Sequence, residues 1–424
     1  MHTLGIDIGT SGVRSSVLDT ATGLEIATAR ASHPQSRGDW PDAEDWWTAV
    51  CACITAQLQD LRDKRYDPAE VGRICIDGTS GSMVLTDEGL APVGPALMYN
   101  SKGFTDEAQK IAQHAPDPHI TQGSNSALAR AMRLVTMAHA KPTFLLHQAD
   151  FIAARLLGHG GFSDHNNALK TGFDPETERW PDWIGEVIEP ALLPVAKAPG
   201  SDLEHISAKI ADSFGLSRRT RIMAGTTDSI AAFLAAAPME EGIAVTSLGS
   251  TLAIKLLTKA RIDAPEMGLY SHRIGDLWLV GGASNTGGAV LANHFSNAQL
   301  SELSTKIDPS KPSGLDYYPL LQPGERFPVN DPSLMPCLEP RPSDDAEFLQ
   351  GIFEGIARIE ARCYEAIVAQ GGPRPIRILT AGGGAQNPIW NEIRRAALGT
   401  RVDVAPQGEA CLGAAKLAAS LQTT

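Results

Sequence analysis

The sequence predicts a mixed α/β protein of two domains with related architecture. Three observations carry that expectation. First, 424 residues with 43% hydrophobic and 20% charged residues have globular proportions, at a length where a single hydrophobic core stops growing. Second, the chain opens as a strand meander, Leu4 to Ile8, Val13 to Leu18 and Leu24 to Ala29, broken by the turns Thr10-Ser11-Gly12 and Asp19 to Gly23, and then passes through a helix to a buried strand. Third, the opening pattern returns: Ala244 to Leu248 meets Gly249-Ser250-Thr251 and continues as Leu252 to Leu257, an offset of 240 residues from Gly9 to Gly249. That period is too long for a solenoid and suits two domains of similar plan; two unrelated hairpins alike by chance are the alternative.

The remaining elements follow from periodicity. Ala43 to Leu61 reads as an amphipathic helix with its apolar stripe at Trp47, Val50, Cys51, Ile54, Leu58 and Leu61, followed by the strand Ile74-Cys75-Ile76. Arg221 to Ala224 reads as a short strand, Gly225-Thr226-Thr227-Asp228 as a turn of small polar residues suited to a helix N-terminus, and Ile230 to Ala237 as a buried helix. Asp308 to Pro342, rich in Pro, Ser and Asp, reads as ordered loop. A helix from Glu347 to Ala369, a strand from Ile376 to Thr380, the turn Gly382-Gly383-Gly384, a helix through Ile393 to Leu398 and a small-residue helix from Leu412 complete the chain.

Composition narrows the function. With 36 Lys and Arg against 49 Asp and Glu, the net charge is −13 and there is no basic run, which argues against nucleic acid or an anionic membrane as partner and for a small solute. No stretch approaches the ~20 apolar residues of a membrane span, and Met1-His2-Thr3 leads directly into a strand without a signal-like region, so a cytoplasmic enzyme is expected. Six cysteines without a C-x-x-C pair are expected to be reduced thiols. The chain has no Gly-Lys dipeptide, hence no P-loop, and no H-E-x-x-H, G-x-S-x-G or G-x-G-x-x-G motif.

What remains is a set of glycine, serine and threonine turns at strand ends. Asp7-x-Gly9-Thr10-Ser11-Gly12-x-Arg14 is a tight hairpin whose free backbone N–H groups could face a phosphate, or simply a turn; Gly249-Ser250-Thr251 repeats the device. Asp7 sits beside the first turn, where a carboxylate near phosphate calls for an intervening Mg²⁺ unless it only caps its own turn. Asp228 lies where a strand meets a helix, a ligand position in open α/β sheets; it caps that helix or accepts the proton of a substrate hydroxyl during phosphoryl transfer. In Gly382-Gly383-Gly384-Ala385-Gln386-Asn387, bare backbone would let a flat ring lie close, with Asn387 and Trp390 as polar edge and apolar face, or would serve helix–strand packing alone.

Together these residues resemble the FGGY carbohydrate kinases, a branch of the actin/Hsp70-like ATPase fold, from end to end of the chain. Gly5-Ile6-Asp7-x-Gly9-Thr10-Ser11 resembles the first phosphate loop, Gly225-Thr226-Thr227-Asp228-Ser229 the catalytic aspartate motif, Ser247-Leu248-Gly249-Ser250-Thr251 the second phosphate loop, and Ala381 to Ala385 with Asn387 the adenosine motif. Gly351-x-Phe353-x-Gly355-Ile356-Ala357, leading into Glu365, is similar to the helical signature upstream of it, and Glu409-Ala410-x-x-Gly413-Ala414-Ala415 to the closing helix. The resemblance implies two actin-like (ribonuclease H-like) ATPase domains facing a cleft that closes on substrate: 1–236 with the sugar site and first phosphate loop, and 237–424 with the nucleotide site, the last helix from about 412 packing back on the first domain. It implies Asp228 as general base and Asp7 as second catalytic carboxylate; Asp7, Ser11, Gly12, Arg14, Ser80 and Asp228 as sugar contacts; and Thr10, Gly249, Ser250, Thr251, Gly383, Gly384, Asn387 and Trp390 around ATP. Mg²⁺ would accompany ATP, held by Asp7 through water.

The resemblance extends to short pentulose kinases, the D-ribulose kinases of cyanobacteria and plant plastids, through Ile76-Asp77-Gly78-Thr79-Ser80-Gly81, Tyr99-Asn100, Asp164 to Lys170 and Ser313 to Pro319. Leu97-Met98-Tyr99-Asn100-Ser101 stands where many larger members carry Trp-x-Asp-x-Arg, so a charged clamp on the sugar is missing. The implied activity is ATP-dependent conversion of D-ribulose to its 5-phosphate by a monomer or dimer whose partners are sugar and ATP. A kinase of D-xylulose or another polyol is the alternative, and an ATP-driven chaperone or filament protein on the same fold is the alternative of another class.

Overall fold

The structure, a computed structural model, describes residues 1–34, 40–406 and 409–420. Two compact units divide the chain: Met1–Ala235 with His272–Gly275 and the stretch from Glu409, and Ala236–Ser271 with Asp276–Gly408.

The first unit opens with β1 (His2–Ile8), β2 (Gly12–Asp19), β3 (Leu24–Ser32), α1 (Ala43–Asp63) and β4 (Val71–Gly78). A middle region follows: β5 (Met83–Thr86), α2 (Thr105–Ala112), α3 (Ala127–Met137), β6 (Phe144–His147), α4 (Gln148–Leu157), β7 (Phe162–Asp164), α5 (His165–Ala168) and β8 (Val195–Lys197). Next come β9 (Asp202–His205), α6 (Ala208–Phe214), β10 (Arg221–Thr227) and α7 (Asp228–Ala236). The second unit holds β11 (Ile243–Leu248), β12 (Leu252–Thr258), the first two residues of β13 (Tyr270–Ile274), β14 (Leu277–Ser284), α8 (Gly288–His294), α9 (Asn297–Ser304), α10 (Asp345–Ala369), β15 (Arg377–Ala381), α11 (Pro388–Leu398) and β16 (Arg401–Val404). The last helix, α12 (Ala410–Ala419), belongs with the first unit.

Each unit is organised by a six-stranded mixed sheet. The orders are β3-β2-β1-β4-β10-β9 and β13-β14-β12-β11-β15-β16, so the two copies of the opening hairpin hold equivalent places: β1 is antiparallel to β2 and parallel to β4, as β11 is antiparallel to β12 and parallel to β15. β1 is buried on both faces because helices cover it on both sides. Leu4, Ile6 and Ile8 fill the core, and Thr3 Oγ1 donates to the Ala415 carbonyl of α12 at 2.8 Å.

Asp42 caps α1 by accepting from Glu44 N at 2.9 Å. Its buried face runs through Trp46, Val50, Cys53, Ile54, Leu58 and Leu61, one position round from the expected stripe, which placed Trp47 and Cys51 inward. The reason is the neighbouring helix: Trp46 meets Phe151 of α4 edge-on at 6.2 Å, while Trp47 lies under the Arg155 guanidinium at 5.9 Å. β10 also runs three residues further than expected, to Thr227, and α7 starts at Asp228 itself. Residues 308–342 form loop with isolated bridges only, ordered around Glu325, which is 2% exposed and accepts from Ser284 Oγ, Asn285 N and Tyr318 Oη. No helix among the described residues is long and apolar enough to cross a membrane.

Candidate active site

In the first unit, the carboxyl ends of three adjacent strands bring the sequence-singled carboxylates together. Ile8 pairs with Gly78, and Gly78 with Thr227, so Asp7 near the end of β1, the Thr79-Ser80 turn after β4 and Asp228 after β10 share one sheet edge. Asp7 stands opposite Arg14 across the hairpin, with Arg14 Nη1 4.0 Å from Asp7 Oδ2 and 3.2 Å from Glu409 Oε2. Thr10, Ser11 and Arg14 are exposed, Gly12, Ser80 and Asp228 half-buried, and Asp7 forms the floor at 6% exposure. The hairpin is held by Gly9 N donating to Gly12 O at 2.9 Å and by the His33 ring against Gly9 O at 2.9 Å.

Electrostatics here are tight. Burial pushes the Asp7 carboxyl up, contact with the Asp77 carboxyl draws it down, the Asp228 charge raises it again and Arg14 lowers it. Asp77 stands directly beside Asp7 on β4 and is completely buried. Burial holds its carboxyl well above the usual range, and Asp7 and Asp228 reinforce that direction. No role was read for Asp77 from the sequence. The available signal was a lone carboxylate at the end of the apolar strand Ile74-Cys75-Ile76.

The second unit contains a cavity of about 720 Å³, within the range of small-molecule sites. Gly249 and Ser250 form one wall and Gly383, Gly384, Asn387 and Trp390 another, while Thr251 is outside the lining. Gly288 and Ser304, not singled out in the sequence, also line it. The Asn387 amide is committed to protein: its Oδ1 accepts from Trp390 N at 3.0 Å, capping α11, and its Nδ2 donates to Ser304 Oγ at 2.8 Å. Trp390 is 2% exposed and stacks on Phe353 with ring centroids 4.8 Å apart, so it backs the wall. The two glycines differ: a Cβ on Gly384 would lie 2.6 Å from the Trp390 ring and 2.8 Å from Leu248, whereas one on Gly383 would meet no protein atom within 4 Å. Bare backbone at Gly384 serves packing; at Gly383 it leaves space in the cavity.

Known proteins with the same features place this chain. The N-terminal domain of the FGGY family of carbohydrate kinases matches residues 2–235 and its C-terminal domain residues 244–421. A xylulose kinase from Streptomyces rubiginosus is 27% identical over 99% of this chain and 88% of its own length, and one from Streptomyces coelicolor 25% identical over the same shares. The crystal structure of xylulose kinase from Rhodospirillum rubrum superposes with a TM-score of 0.85 at 21% identity, over 99% of this chain and 89% of that one, a likeness of fold. The two sheets of one plan and the two family domains covering nearly every residue give one conclusion: the chain belongs to the FGGY family of carbohydrate kinases, enzymes that transfer a phosphoryl group from ATP to a sugar.

Proposed function

We propose that this kinase phosphorylates a ketopentose, D-ribulose to D-ribulose 5-phosphate, with Asp228 as general base. The observation that carries the proposal is the shared strand edge, where the half-buried Asp228 carboxylate lies in the field of the buried Asp7 carboxyl beside the accessible polar groups of Ser11, Arg14 and Ser80. Asp228 takes the proton of the sugar's terminal hydroxyl, the hydroxyl oxygen bonds to the γ-phosphorus, the bond from that phosphorus to the bridging oxygen breaks, and ADP leaves with the electron pair. Asp7, Ser11, the Gly12 backbone, Arg14 and Ser80 hold the remaining sugar oxygens. Thr10 and the Gly249-Ser250-Thr251 turn take the phosphates, and the cavity at Gly383, Gly384, Asn387 and Trp390 takes the adenosine.

Two carboxylates in one field, Asp7 and Asp228, suit a hard cation met through water. Mg²⁺ arriving with ATP would be held there by Asp7 through water and would neutralise charge on the phosphates. The preference for D-ribulose rests on Leu97 to Ser101, which offers Tyr99 and Asn100 in place of a charged clamp and suits a small open-chain ketose. D-Xylulose is the second reading, favoured by the names of the relatives.

ADP release across ketoses, polyols and aldoses tests the proposal. kcat/KM for D-ribulose should exceed that for D-xylulose by at least about tenfold, roughly 1.4 kcal/mol of differential transition-state binding. A higher value for glycerol, D-gluconate or L-ribulose would overturn the substrate assignment.

A further inference from the structure

Arg130 of α3 is 2% exposed, and among the described residues no carboxylate pairs with it. Burial pushes its pKa down to about 10, so the guanidinium remains charged at neutral pH. A buried cation without a counter-ion is strongly unfavourable unless its N–H groups are bonded. Arg130 bonds its two Nη groups to carbonyls of three separate segments, leaving Nε without a partner: Nη1 donates to Gly81 O at 2.6 Å, and Nη2 to Tyr99 O at 2.8 Å, Asn125 O at 3.1 Å and Ser101 O at 3.4 Å. The Phe104 ring lies 5.9 Å from the guanidinium carbon.

The turn is shaped to this group. Gly81 has φ +83°, and a Cβ there would come 3.0 Å from Arg130 Nη1. A further layer ties the same segments together: Thr79 Oγ1 meets Ser82 Oγ at 2.6 Å, Ser82 Oγ accepts from Tyr99 N at 2.9 Å, and Gln148 Oε1 accepts from Thr79 N and Oγ1 at 3.0 and 2.8 Å. Ser80 is half-buried, and Tyr99 and Asn100 are exposed. Tyr99 and Asn100 lie in the Leu97–Ser101 segment read above as standing where larger members carry Trp-x-Asp-x-Arg.

We propose that Arg130 is a positioning residue for sugar recognition: by gripping Gly81, Tyr99 and Ser101 from beneath, it sets the separation of the Ser80 turn from the Tyr99-Asn100 segment and with it the hydroxyl stereochemistry the site accepts. The inference rests on the proposed sugar site in the first unit. Its planar fork reaches several carbonyls at once, which the single ammonium of a lysine does not.

The test uses the full chain with Arg130→Lys, Arg130→Met and Gly81→Ala, each checked for native circular dichroism, and reads kcat and KM for D-ribulose, D-xylulose and ATP. In folded Arg130→Met, the KM for the preferred sugar should rise about ten- to a hundredfold, the loss expected from a displacement on the order of 1 Å. The KM for ATP should stay within about twofold, and the ratio of the two sugars' kcat/KM should collapse toward unity. Arg130→Lys should restore part of the sugar KM but not the ratio. If Arg130→Met does not fold, Gly81→Ala carries the same expectation by pressing on Nη1. Unchanged sugar KM and ratio in folded variants, or equal rises in the sugar and ATP KM, would overturn the proposal. A wild-type enzyme inactive on both pentuloses would instead refute the substrate assignment, and Arg130 would then be judged by the same KM criterion on the acceptor the panel identifies.

Discussion

Replacing Arg394 by methionine should destabilise the second unit by about 3–5 kcal/mol, the usual consequence of stranding one member of a buried ion pair. Arg394 and Glu360 are both 0% exposed. Their contact is bidentate, Nε to Oε2 at 2.6 Å and Nη2 to Oε1 at 2.7 Å. Thr246 Oγ1 adds a bond to Glu360 Oε1 at 2.5 Å, and Arg394 Nη1 donates to Thr380 Oγ1 at 2.7 Å and Asn391 Oδ1 at 3.1 Å. Without the guanidinium, the Glu360 carboxylate is left in the interior with the Thr246 hydroxyl as its bonded partner. Removing both charges, as in Glu360→Leu with Arg394→Met, should cost far less than the sum of the single changes, a coupling of about 2–3 kcal/mol. Asn391 Nδ2 donates to Ala385 O at 2.8 Å, so the single substitution should also weaken ATP binding. Urea unfolding followed by circular dichroism, with the second-unit transition identified by its shift on adding an ATP analogue, reads the stability; calorimetry reads the affinity. A loss under about 1 kcal/mol for Arg394→Met, or strict additivity of the pair, would show that the two buried charges do not depend on each other.

Three further expectations come from the same geometry. Gly384→Ala should shift the wall against Trp390 and weaken ATP binding together with stability, whereas Gly383→Val, at a position where a Cβ has no protein atom within 4 Å, should weaken ATP binding with folding intact; calorimetry and melting curves separate them, and tight ATP binding by Gly383→Val would move the nucleotide site. Asp7→Ala should lower activity in a manner that depends on Mg²⁺ concentration, and a loss insensitive to Mg²⁺ would leave Asp7 as a sugar contact alone. Burial pushes His147 down to about 3 and His165 to about 4, so below about pH 6.5 the unfolded chain binds more protons than the folded one. Stability should therefore fall as pH drops from about 6.5 toward 4, by up to about 1.4 kcal/mol per pH unit for each histidine, and His147→Gln should flatten that slope; an unchanged slope in the urea midpoints would contradict the assignment.

Much of this architecture is legible locally. The two hairpins announce themselves by strand, small-residue turn and strand, and their sheets are built on one plan because each hairpin needs a parallel neighbour, β4 or β15, to complete it. What escapes the sequence depends on tertiary pairing. Adjacent tryptophans at 46 and 47 cannot reveal which one faces Phe151. Asp77 acquires meaning only through register beside Asp7. Arg130 and Arg394 lie on helices that otherwise read as amphipathic, and their burial follows from loop carbonyls and a glutamate far away in the chain. The Asn387 amide, suited by type to a base edge, turns out to cap α11, since a helix N-terminus needs an acceptor.

In the proposed reaction, phosphoryl transfer depends on a pentulose and Asp228 accepts the proton of its hydroxyl. That role is tested most directly by D-ribulose-dependent ADP release in Asp228→Asn beside the wild type, with ATP affinity measured on the same samples. The amide, equal in size but unable to take the proton, should remove nearly all sugar-dependent turnover, a loss of about 10²–10⁴-fold, and leave ATP affinity within a few-fold. Sugar-dependent turnover at the wild-type rate in a folded Asp228→Asn protein would contradict that role.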